Sequence, residues 1–172
     1  MIALDFSKEK SKQEVFQDIE KYIQDIDLQY ITKDIERPWG GFYVINETQT
    51  LQFIKLFFPD LNPSSINLNN KLSPKILVVA PGKRLSWQYH HRRSEVWKVI
   101  GGEAAISTSD IDQEKAVIEI KKGKLITLKQ GERHRLIGTN TWGIIAEIWQ
   151  HTDAQNPSDE NDIVRVQDDF GR

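Results

Sequence analysis

Cysteine is absent from this sequence of 172 residues, which excludes disulfides and thiolate metal sites. Any metal ion that the chain binds must therefore take nitrogen and oxygen ligands. Long apolar runs are absent too, since none approaches the roughly 20 residues of a membrane span. The polar N-terminus also lacks the apolar core of a signal peptide. These absences predict a cytoplasmic protein that makes no membrane contact.

An excess of charge of either sign is also missing. Lys and Arg number 23 against 25 Asp and Glu, which gives a net charge of −2. Nucleic-acid-binding domains usually carry a marked basic excess, so no nucleic-acid partner is expected. The hydrophobic fraction of 38% and the charged fraction of 28% are typical of a globular protein. The length suits a single domain with a sizeable core.

The first 30 residues carry a helical pattern. Apolar residues recur there at helical spacing on a single stripe, at Val15, Phe16, Ile19, Tyr22, Ile23 and Ile26. Ser11 followed by Glu14 has the spacing of a capping box. We therefore predict a helix from about residue 8 to residue 27, packed on the domain or on a second copy of it.

After Pro38 the pattern changes to short β-rich segments separated by turn residues. The segments read FYVIN, LQFIKLFF, KILVVA, LSWQYH, EVWKVI, AAIST, AVIEI, KLITL, HRLIG and WGIIAEIW. Strands this short and frequent, with no helical pattern between them, indicate an antiparallel sandwich or barrel. Two polar stretches, 59–74 and 152–162, are predicted to be long loops.

A cluster of possible metal ligands lies in the segment 86–95. Residues two apart on a strand share a face, so Ser86, Gln88 and His90 point the same way. The connection HRRS then has hairpin length, and Glu95 opens the returning strand. If His90 and Glu95 face each other, Gln88 faces Trp97, and an imidazole, a carboxylate and an amide oxygen converge on one face.

One further histidine completes this set. His134 begins a strand after a tight turn near Gly131. Two histidines, one carboxylate and one amide suit zinc, manganese, iron, cobalt or nickel, with one or two positions left for a substrate. A single histidine in a strand is more often a packing residue, so the spacing of a second motif has to decide between the two interpretations.

That second motif exists, and the two together resemble the cupin superfamily. Its first motif, G-x5-H-x-H-x3,4-E-x6-G, is matched by Gly82, Gln88, His90, Glu95 and Gly102. The second, G-x5-P-x-G-x2-H-x3-N, is matched by Gly123, Lys129, Gly131, His134 and Gly138. Gln88, Lys129 and Gly138 replace the usual histidine, proline and asparagine. The resemblance implies an all-β double-stranded β-helix, or jelly-roll barrel, with an N-terminal helical extension.

Within the cupins the sequence is similar to the type II phosphomannose isomerase domain, which often ends bifunctional mannose-1-phosphate guanylyltransferases. The matching words are RPWGGFY, KILVVAPGKRLSWQ, RSEVW, GERHRL, EIWQ and the closing DENDIVRVQDDFGR. The resemblance covers residues 37–172 as the cupin domain and leaves 1–36 as the extension. It implies a sugar-phosphate substrate, polysaccharide biosynthesis, and a separate nucleotidyltransferase as a possible partner.

The segment HHRRSEVW departs from the family, whose corresponding segment reads H-H-H-R-A-E-H-W. Arg92 and Val96 stand where the family has histidines. The inferred ligands Gln88, His90, Glu95 and His134 are all kept, and a similar S-x-Q-x-H run belongs to the zinc site of type I phosphomannose isomerases. The resemblance therefore implies one divalent ion, with zinc favoured. The changes at Arg92 and Val96 would then affect the acid–base residues or the choice of sugar, and not the metal ligands.

Interconversion of mannose 6-phosphate and fructose 6-phosphate needs a proton moved between two carbons and therefore a general base. The candidate catalytic residues are His91 at the predicted turn, and Glu147 and Lys75, which belong to family words. Candidate substrate contacts are Arg93 and Arg172, which match family positions and suit a phosphate, with Arg84 and Ser86 beside them. Trp97 is predicted to form a wall of the sugar pocket.

The leading hypothesis is a metal-dependent isomerase of mannose 6-phosphate. The alternative is a cupin that binds a sugar phosphate or a nucleotide sugar without this catalysis, or a cupin with another chemistry such as epimerisation or oxygenation. Gln88 in place of a histidine disfavours an oxygenase. A homodimer is expected by analogy with other cupins.

Overall fold

A computed structural model describes residues 6–172, which form two facing antiparallel sheets with helices on the outer side of one sheet. The helices and strands, in chain order, are α1 (Lys12–Asp25), β1 (Tyr30–Asp34), β2 (Gly40–Ile45), α2 (Thr50–Phe57), β3 (Leu72–Val79), β4 (Trp87–His90), β5 (Arg93–Gly101), β6 (Ala104–Ser109), β7 (Ile118–Ile120), β8 (Leu125–Leu128), β9 (Arg133–Gly138), β10 (Gly143–His151) and β11 (Ile163–Gln167). Single 3₁₀ turns occur at Glu47–Gln49, Pro63–Ser65 and Glu160–Asp162.

The two sheets interleave strands that are distant in the sequence. The six-stranded sheet has the order β1-β2-β3-β10-β5-β8, and the five-stranded sheet has the order β11-β4-β9-β6-β7. This arrangement confirms the predicted jelly roll with an N-terminal helix. Neither helix in the described part of the chain is long and apolar enough to cross a membrane.

Helix α1 begins at Lys12, directly after the predicted capping residue Ser11 and about four residues later than the predicted start near residue 8. The Ser11 hydroxyl accepts a hydrogen bond from the Glu14 amide, and the Glu14 carboxylate accepts one from the Ser11 amide, which together form the expected capping box. The apolar stripe of the helix, with Phe16 and Ile19, packs against the outer face of the six-stranded sheet. The helix ends at Asp25, two residues before the predicted limit.

The region predicted as a helical extension also contains a strand. Strand β1 pairs with β2 and forms one edge of the six-stranded sheet. Residues 1–5 of that region lie outside the described residues. The boundary at residue 37 stays a prediction.

The segment LQFIKLFF was predicted as a strand, and this prediction is wrong. It forms α2, in which Thr50, Phe53 and Phe57 are buried at spacings of three and four residues. An apolar run of this length fits either a strand or a buried helix. Here the helical spacing directs two phenylalanines into the cluster that α1 and the sheet form.

The connection after His90 is not a hairpin, so the predicted register is wrong as well. Strand β4 lies between β11 and β9, whereas β5 lies between β10 and β8 in the other sheet. His91 and Arg92 carry the chain across the gap between the sheets. Gln88 therefore faces His134 and not Trp97, and His90 and Glu95 meet across the space between the sheets.

Buried apolar side chains form two clusters. The inner cluster lies between the two sheets and contains Trp97, Val99 and Leu136, and the outer cluster lies between the six-stranded sheet and the helices. The inner cluster fills one end of the sandwich. The other end is polar and holds the candidate site.

Candidate metal centre and cavity

Three predicted ligands come together between the sheets. His90 ends β4, Glu95 lies in β5 and His134 lies in β9, and one ligand atom of each falls within 4.8 Å of the others. Nε2 of His90 is 3.2 Å from Oε1 of Glu95, and Nε2 of His134 is 3.4 Å from Oε2. All three side chains are 2% exposed. Two sheets therefore supply one compact set of donor atoms.

The hydrogen bonds of His134 fit a cation at this point. Nδ1 of His134 lies 2.9 Å from the Glu132 carbonyl oxygen, which can only accept, so Nδ1 carries the proton and Nε2 keeps its lone pair. That Nε2 is buried without a hydrogen-bond partner and faces a carboxylate oxygen. Two facing lone pairs in a buried place favour a cation between them.

The charge states of His90 and Glu95 suit the same role. Burial lowers the pKa of His90 to about 3, so its imidazole is neutral near pH 7. Burial alone would raise the pKa of Glu95, but the surrounding His90, Arg93 and His134 nitrogens outweigh it and lower this pKa well below the usual range. A neutral imidazole and an ionised carboxylate are the forms that bind metals.

Gln88 lies beside this set. It is directly paired with His134 on one side and with Arg165 on the other, so the three side chains share the inner face of the five-stranded sheet. Its amide oxygen accepts a hydrogen bond of 2.6 Å from Ser86. A carbonyl oxygen has two lone pairs, so this bond leaves one for a metal ion.

Arg93 ties the donor set to the polar segment after β10. Its Nε donates to Glu95 at 2.7 Å and its Nη2 lies 3.1 Å from Nε2 of His90. Its Nη1 donates to the Ser158 hydroxyl and to the Asp159 carbonyl. The guanidinium also stacks on Trp149, with Cζ 3.5 Å from the ring centroid. All three nitrogens of this buried arginine thus contact protein groups.

A second carboxyl group stands next to the donor set. Glu147 pairs with Trp97 on one side and with Lys75 on the other across the inner face of the six-stranded sheet. The indole N–H of Trp97 donates to Glu147 at 2.9 Å and to Glu95 at 3.1 Å. Burial and the Glu95 carboxylate raise the pKa of Glu147 to about 8. This carboxyl can therefore hold a proton near neutral pH.

Lys75 lies beside Glu147 on the next strand, β3. Its Nζ lies 3.3 Å from the Trp149 ring centroid and 4.9 Å from that of Phe42, and it donates to Glu160 at 2.8 Å. Burial lowers the pKa of Lys75, while Glu160 and Glu147 oppose that effect. The lysine is held in place by aromatic faces and one carboxylate.

These side chains line a narrow cavity of about 50 Å³ that opens to solvent. Its walls hold more cations than carboxylates, namely Arg37, Lys75, Arg93, Arg165 and Arg172 against Glu95, Glu147 and Glu160. Five further residues of the cavity were not predicted from the sequence, namely Arg37, Arg165, Glu160, Trp39 and Trp149. All five lie in the words RPWGGFY, EIWQ and DENDIVRVQDDFGR, so the matching words were the available signal.

Two predicted site residues are not brought to this cavity. The His91 side chain is exposed and packs edge-on against Tyr89, because successive residues at the end of β4 point to opposite sides. Arg84 forms a bidentate pair with Asp169 away from the cavity. The remaining candidates, Lys75, Ser86, Gln88, Arg93, Glu95, Trp97, Glu147 and Arg172, line the cavity, and His90 and His134 contact Glu95.

Both departures from the family segment also lie outside the cavity. Arg92 points outward and pairs with Asp159 and Asp162, each at 3.4 Å. Val96 is buried in the outer cluster, on the helix-covered face of β5. A histidine at either position of this backbone would not reach the donor set.

Comparison with known proteins agrees with this geometry. The sequence profile of the family described as "Mannose-6-phosphate isomerase C-terminal" matches residues 52–168. The alginate biosynthesis protein AlgA of Pseudomonas aeruginosa is 26% identical over 163 residues, which cover 91% of this chain and 27% of that protein. A mannose-1-phosphate guanylyltransferase of Escherichia coli K12 is 26% identical over 161 residues, with 91% and 28% covered. The chain thus spans about a quarter of the length of these relatives.

Solved structures support the fold alone. An oxalate decarboxylase of Bacillus subtilis is 15% identical with a TM-score of 0.53, and the match covers 78% of this chain and 30% of that one. Procruciferin, an 11S globulin of Brassica napus, is 17% identical with a TM-score of 0.50 and coverages of 72% and 28%. Because the profile matches more than half of the sequence, the chain belongs to the mannose-6-phosphate isomerase C-terminal family and has its cupin fold.

Proposed function

We propose that this protein is a metal-dependent isomerase that interconverts mannose 6-phosphate and fructose 6-phosphate. The observation that carries the proposal is the convergence of His90, Glu95 and His134 beside a second carboxyl group, Glu147, with a raised pKa. Aldose–ketose isomerisation requires a place for the two sugar oxygens and a group that exchanges a proton near neutral pH. The cavity offers the donor set for the oxygens and Glu147 for the proton, and Glu95 and Glu147 lie on the neighbouring strands β5 and β10.

The metal would be held by Gln88, His90, Glu95 and His134. One divalent ion, zinc by preference and otherwise manganese, iron, cobalt or nickel, suits two imidazoles, one carboxylate and one amide. Such an ion supplies Lewis-acid stabilisation of negative charge on the sugar oxygens. The lone pair of His134 that faces Glu95 supports this assignment.

Glu147 would move the proton. Among residues 6–172 it receives one hydrogen bond, from Trp97 to Oε1, which leaves Oε2 for the substrate. A group with a pKa of about 8 is close to the operating range of a general base and acid. His91 is a poorer candidate because its side chain is exposed outside the cavity.

Lys75 would hold or polarise a sugar oxygen beside Glu147. It is the adjacent residue across the sheet, so its ammonium group and the carboxyl group serve the same region of the cavity. Two aromatic rings restrict its motion. A fixed cation of this kind stabilises an oxygen on which negative charge develops.

The decisive experiment is a coupled isomerase assay on the metal-loaded protein. Wild type should turn over mannose 6-phosphate, and Glu95→Ala should lose both the bound metal, measured by elemental analysis, and the turnover. Glu119→Ala, an exposed residue of β7, is the matched control and should keep both. Glu95→Gln is a second variant that preserves the side-chain volume if the alanine variant folds poorly.

A metal-loaded wild type with no turnover of any hexose phosphate would reject the isomerase. The second candidate, a cupin that binds a sugar phosphate or nucleotide sugar without catalysis, would then remain. The cavity measures about 50 Å³, below the roughly 300–1,000 Å³ of usual ligand pockets, so its walls must move apart to admit the ligand of either candidate. Turnover separates the two candidates, and titration with both ligand classes then identifies the ligand of a protein without turnover.

A further inference from the structure

Three arginines stand at the open side of the cavity. The side chains of Arg37 and Arg172 are each 24% exposed, whereas that of the deeper Arg93 is 2% exposed. Arg165 is partly buried and lies next to Gln88 on the inner face of β11. Arg37 enters before β2, and the other two come from the C-terminal end of the chain.

Arg165 differs from its neighbours in lacking a partner. Arg37 pairs with Asp34 at 2.8 Å and Arg172 pairs with Asp168 at 2.8 Å. Within the described residues Arg165 has no ion pair, and its Nε, like that of Arg37, is buried without a hydrogen-bond partner. A cation in such a place is unfavourable unless an anion joins it.

The cations deeper in the cavity already bind protein groups. Arg93 uses its three nitrogens on His90, Glu95 and the 158–159 backbone and side chain. Lys75 is paired with Glu160. Among the described residues, Arg165 is therefore the cavity cation without an ion pair, although Arg93 and Arg172 were the ones predicted from the sequence to bind a phosphate.

We propose that Arg37, Arg165 and Arg172 form the phosphoryl subsite of the cavity, with Arg165 as its central donor. Guanidinium groups match a phosphoryl dianion through paired N–H donors. The partial exposure of these side chains suits a group that enters last and stays near solvent. This inference rests on the proposed function for the identity of the sugar but not for the presence of the anion site.

The placement has a consequence for specificity. A sugar whose phosphate lies at the arginines presents its opposite end to Glu95 and Glu147. The cavity thus selects sugars phosphorylated at the carbon farthest from the reacting carbonyl. A 1-phosphate or a nucleotide sugar would bring its phosphate-bearing carbon to the mouth and leave no reactive carbon inside.

The test is the binding of inorganic phosphate to the metal-loaded protein, measured by calorimetry. Arg165→Met should weaken binding at least tenfold, and Arg165→Lys should weaken it less. Arg133→Met is the matched control, because Arg133 pairs with Asp112 outside the cavity, and its affinity should stay within twofold of wild type. Circular dichroism establishes that each variant is folded, and the lysine variant serves if the methionine variant is not.

Unchanged phosphate affinity in both Arg165 variants would overturn the subsite, as would equal losses in Arg165→Met and Arg133→Met. A wild type that binds no phosphate would overturn it even if mannose 6-phosphate is turned over. Phosphate binding that depends on Arg165 in a protein without turnover would keep the subsite and remove the isomerase. In an active enzyme, Arg165→Met should raise KM for fructose 6-phosphate far more than it lowers kcat.

Discussion

The two faces of the six-stranded sheet are built by the same strands and differ in almost every property. On the inner face β3, β10 and β5 place Lys75, Glu147 and Glu95 at the polar end of the sandwich. On the outer face the next residues, Ile76, Ile148 and Val96, pack against the helices. Alternation of side chains along each strand separates a charged cavity from an apolar core by the thickness of one sheet.

The inner face tolerates most of its charges because they are paired: Arg93 contacts Glu95, and Lys75 contacts Glu160. Glu147 has no ion pair among the described residues, and its pKa is raised to about 8. Removing one partner leaves an uncompensated charge in a place of low polarity, which costs more than the pair contributes. In the part of the chain that the structure describes, the outer face has no buried ion pair, and the pair that joins it to α1, Lys33 with Glu20, is partly exposed. Substitution of its buried apolar residues therefore acts mainly through volume and polarity.

The largest effect is expected at the inner face. Glu147→Gln keeps the volume and the contact with Trp97 but removes the proton exchange, so kcat should fall about 10²- to 10⁴-fold. The variant should still bind one metal ion per chain and should keep its affinity for phosphate. Steady-state kinetics with elemental analysis measures both, and an active Glu147→Gln enzyme would exclude this residue as the base.

An intermediate effect is expected from Val96→His, which restores the family histidine on the outer face. Burial of an imidazole among the apolar side chains of that cluster should lower the free energy of unfolding by about 2–3 kcal/mol. Metal content and turnover should be unchanged. Urea titration gives the stability, and a gain in turnover would mean that this position does reach the site.

The smallest effect is expected from Arg92→His, the other family histidine. Arg92 is partly exposed and pairs with Asp159 and Asp162, so its loss should cost about 1 kcal/mol or less. The same urea titration measures this. A loss as large as that of Val96→His would show that Arg92 organises the polar segment after β10 more strongly than an ion pair at the surface does.

Local sequence patterns were enough to predict α1 and most strands, and the Ser11–Glu14 capping box depends on short-range geometry. The donors His90, Glu95 and His134 were predicted from the spacing of the two cupin motifs, and the hairpin geometry assumed for them was wrong. Local reasoning also placed β4 and β5 in one hairpin, because a local pattern does not reveal which distant strand each one pairs with. The pairing of Gln88 with His134 and Arg165 is set by the whole sandwich.

The remaining errors have equally specific causes. The run LQFIKLFF is short and apolar, so its period does not separate a strand from a helix. The free donors of Arg165 could not be inferred, because they follow from what Arg93 and Arg172 already bind. His91 was predicted to serve the site. Side chains alternate along a strand, however, so the residue after His90 points to solvent and not into the cavity.

The crossing of the chain at His91 and Arg92 has a consequence for opening motions. His90 and Glu95 are five residues apart and yet belong to opposite sheets, so any motion that parts the sheets at this end must separate the donor atoms. An ion bound there would raise the free energy of such opening by RT ln(1 + [L]/Kd). Amide hydrogens of β4 and β5 should consequently exchange more slowly when metal is present, and those of the helix-covered edge at β1 should not.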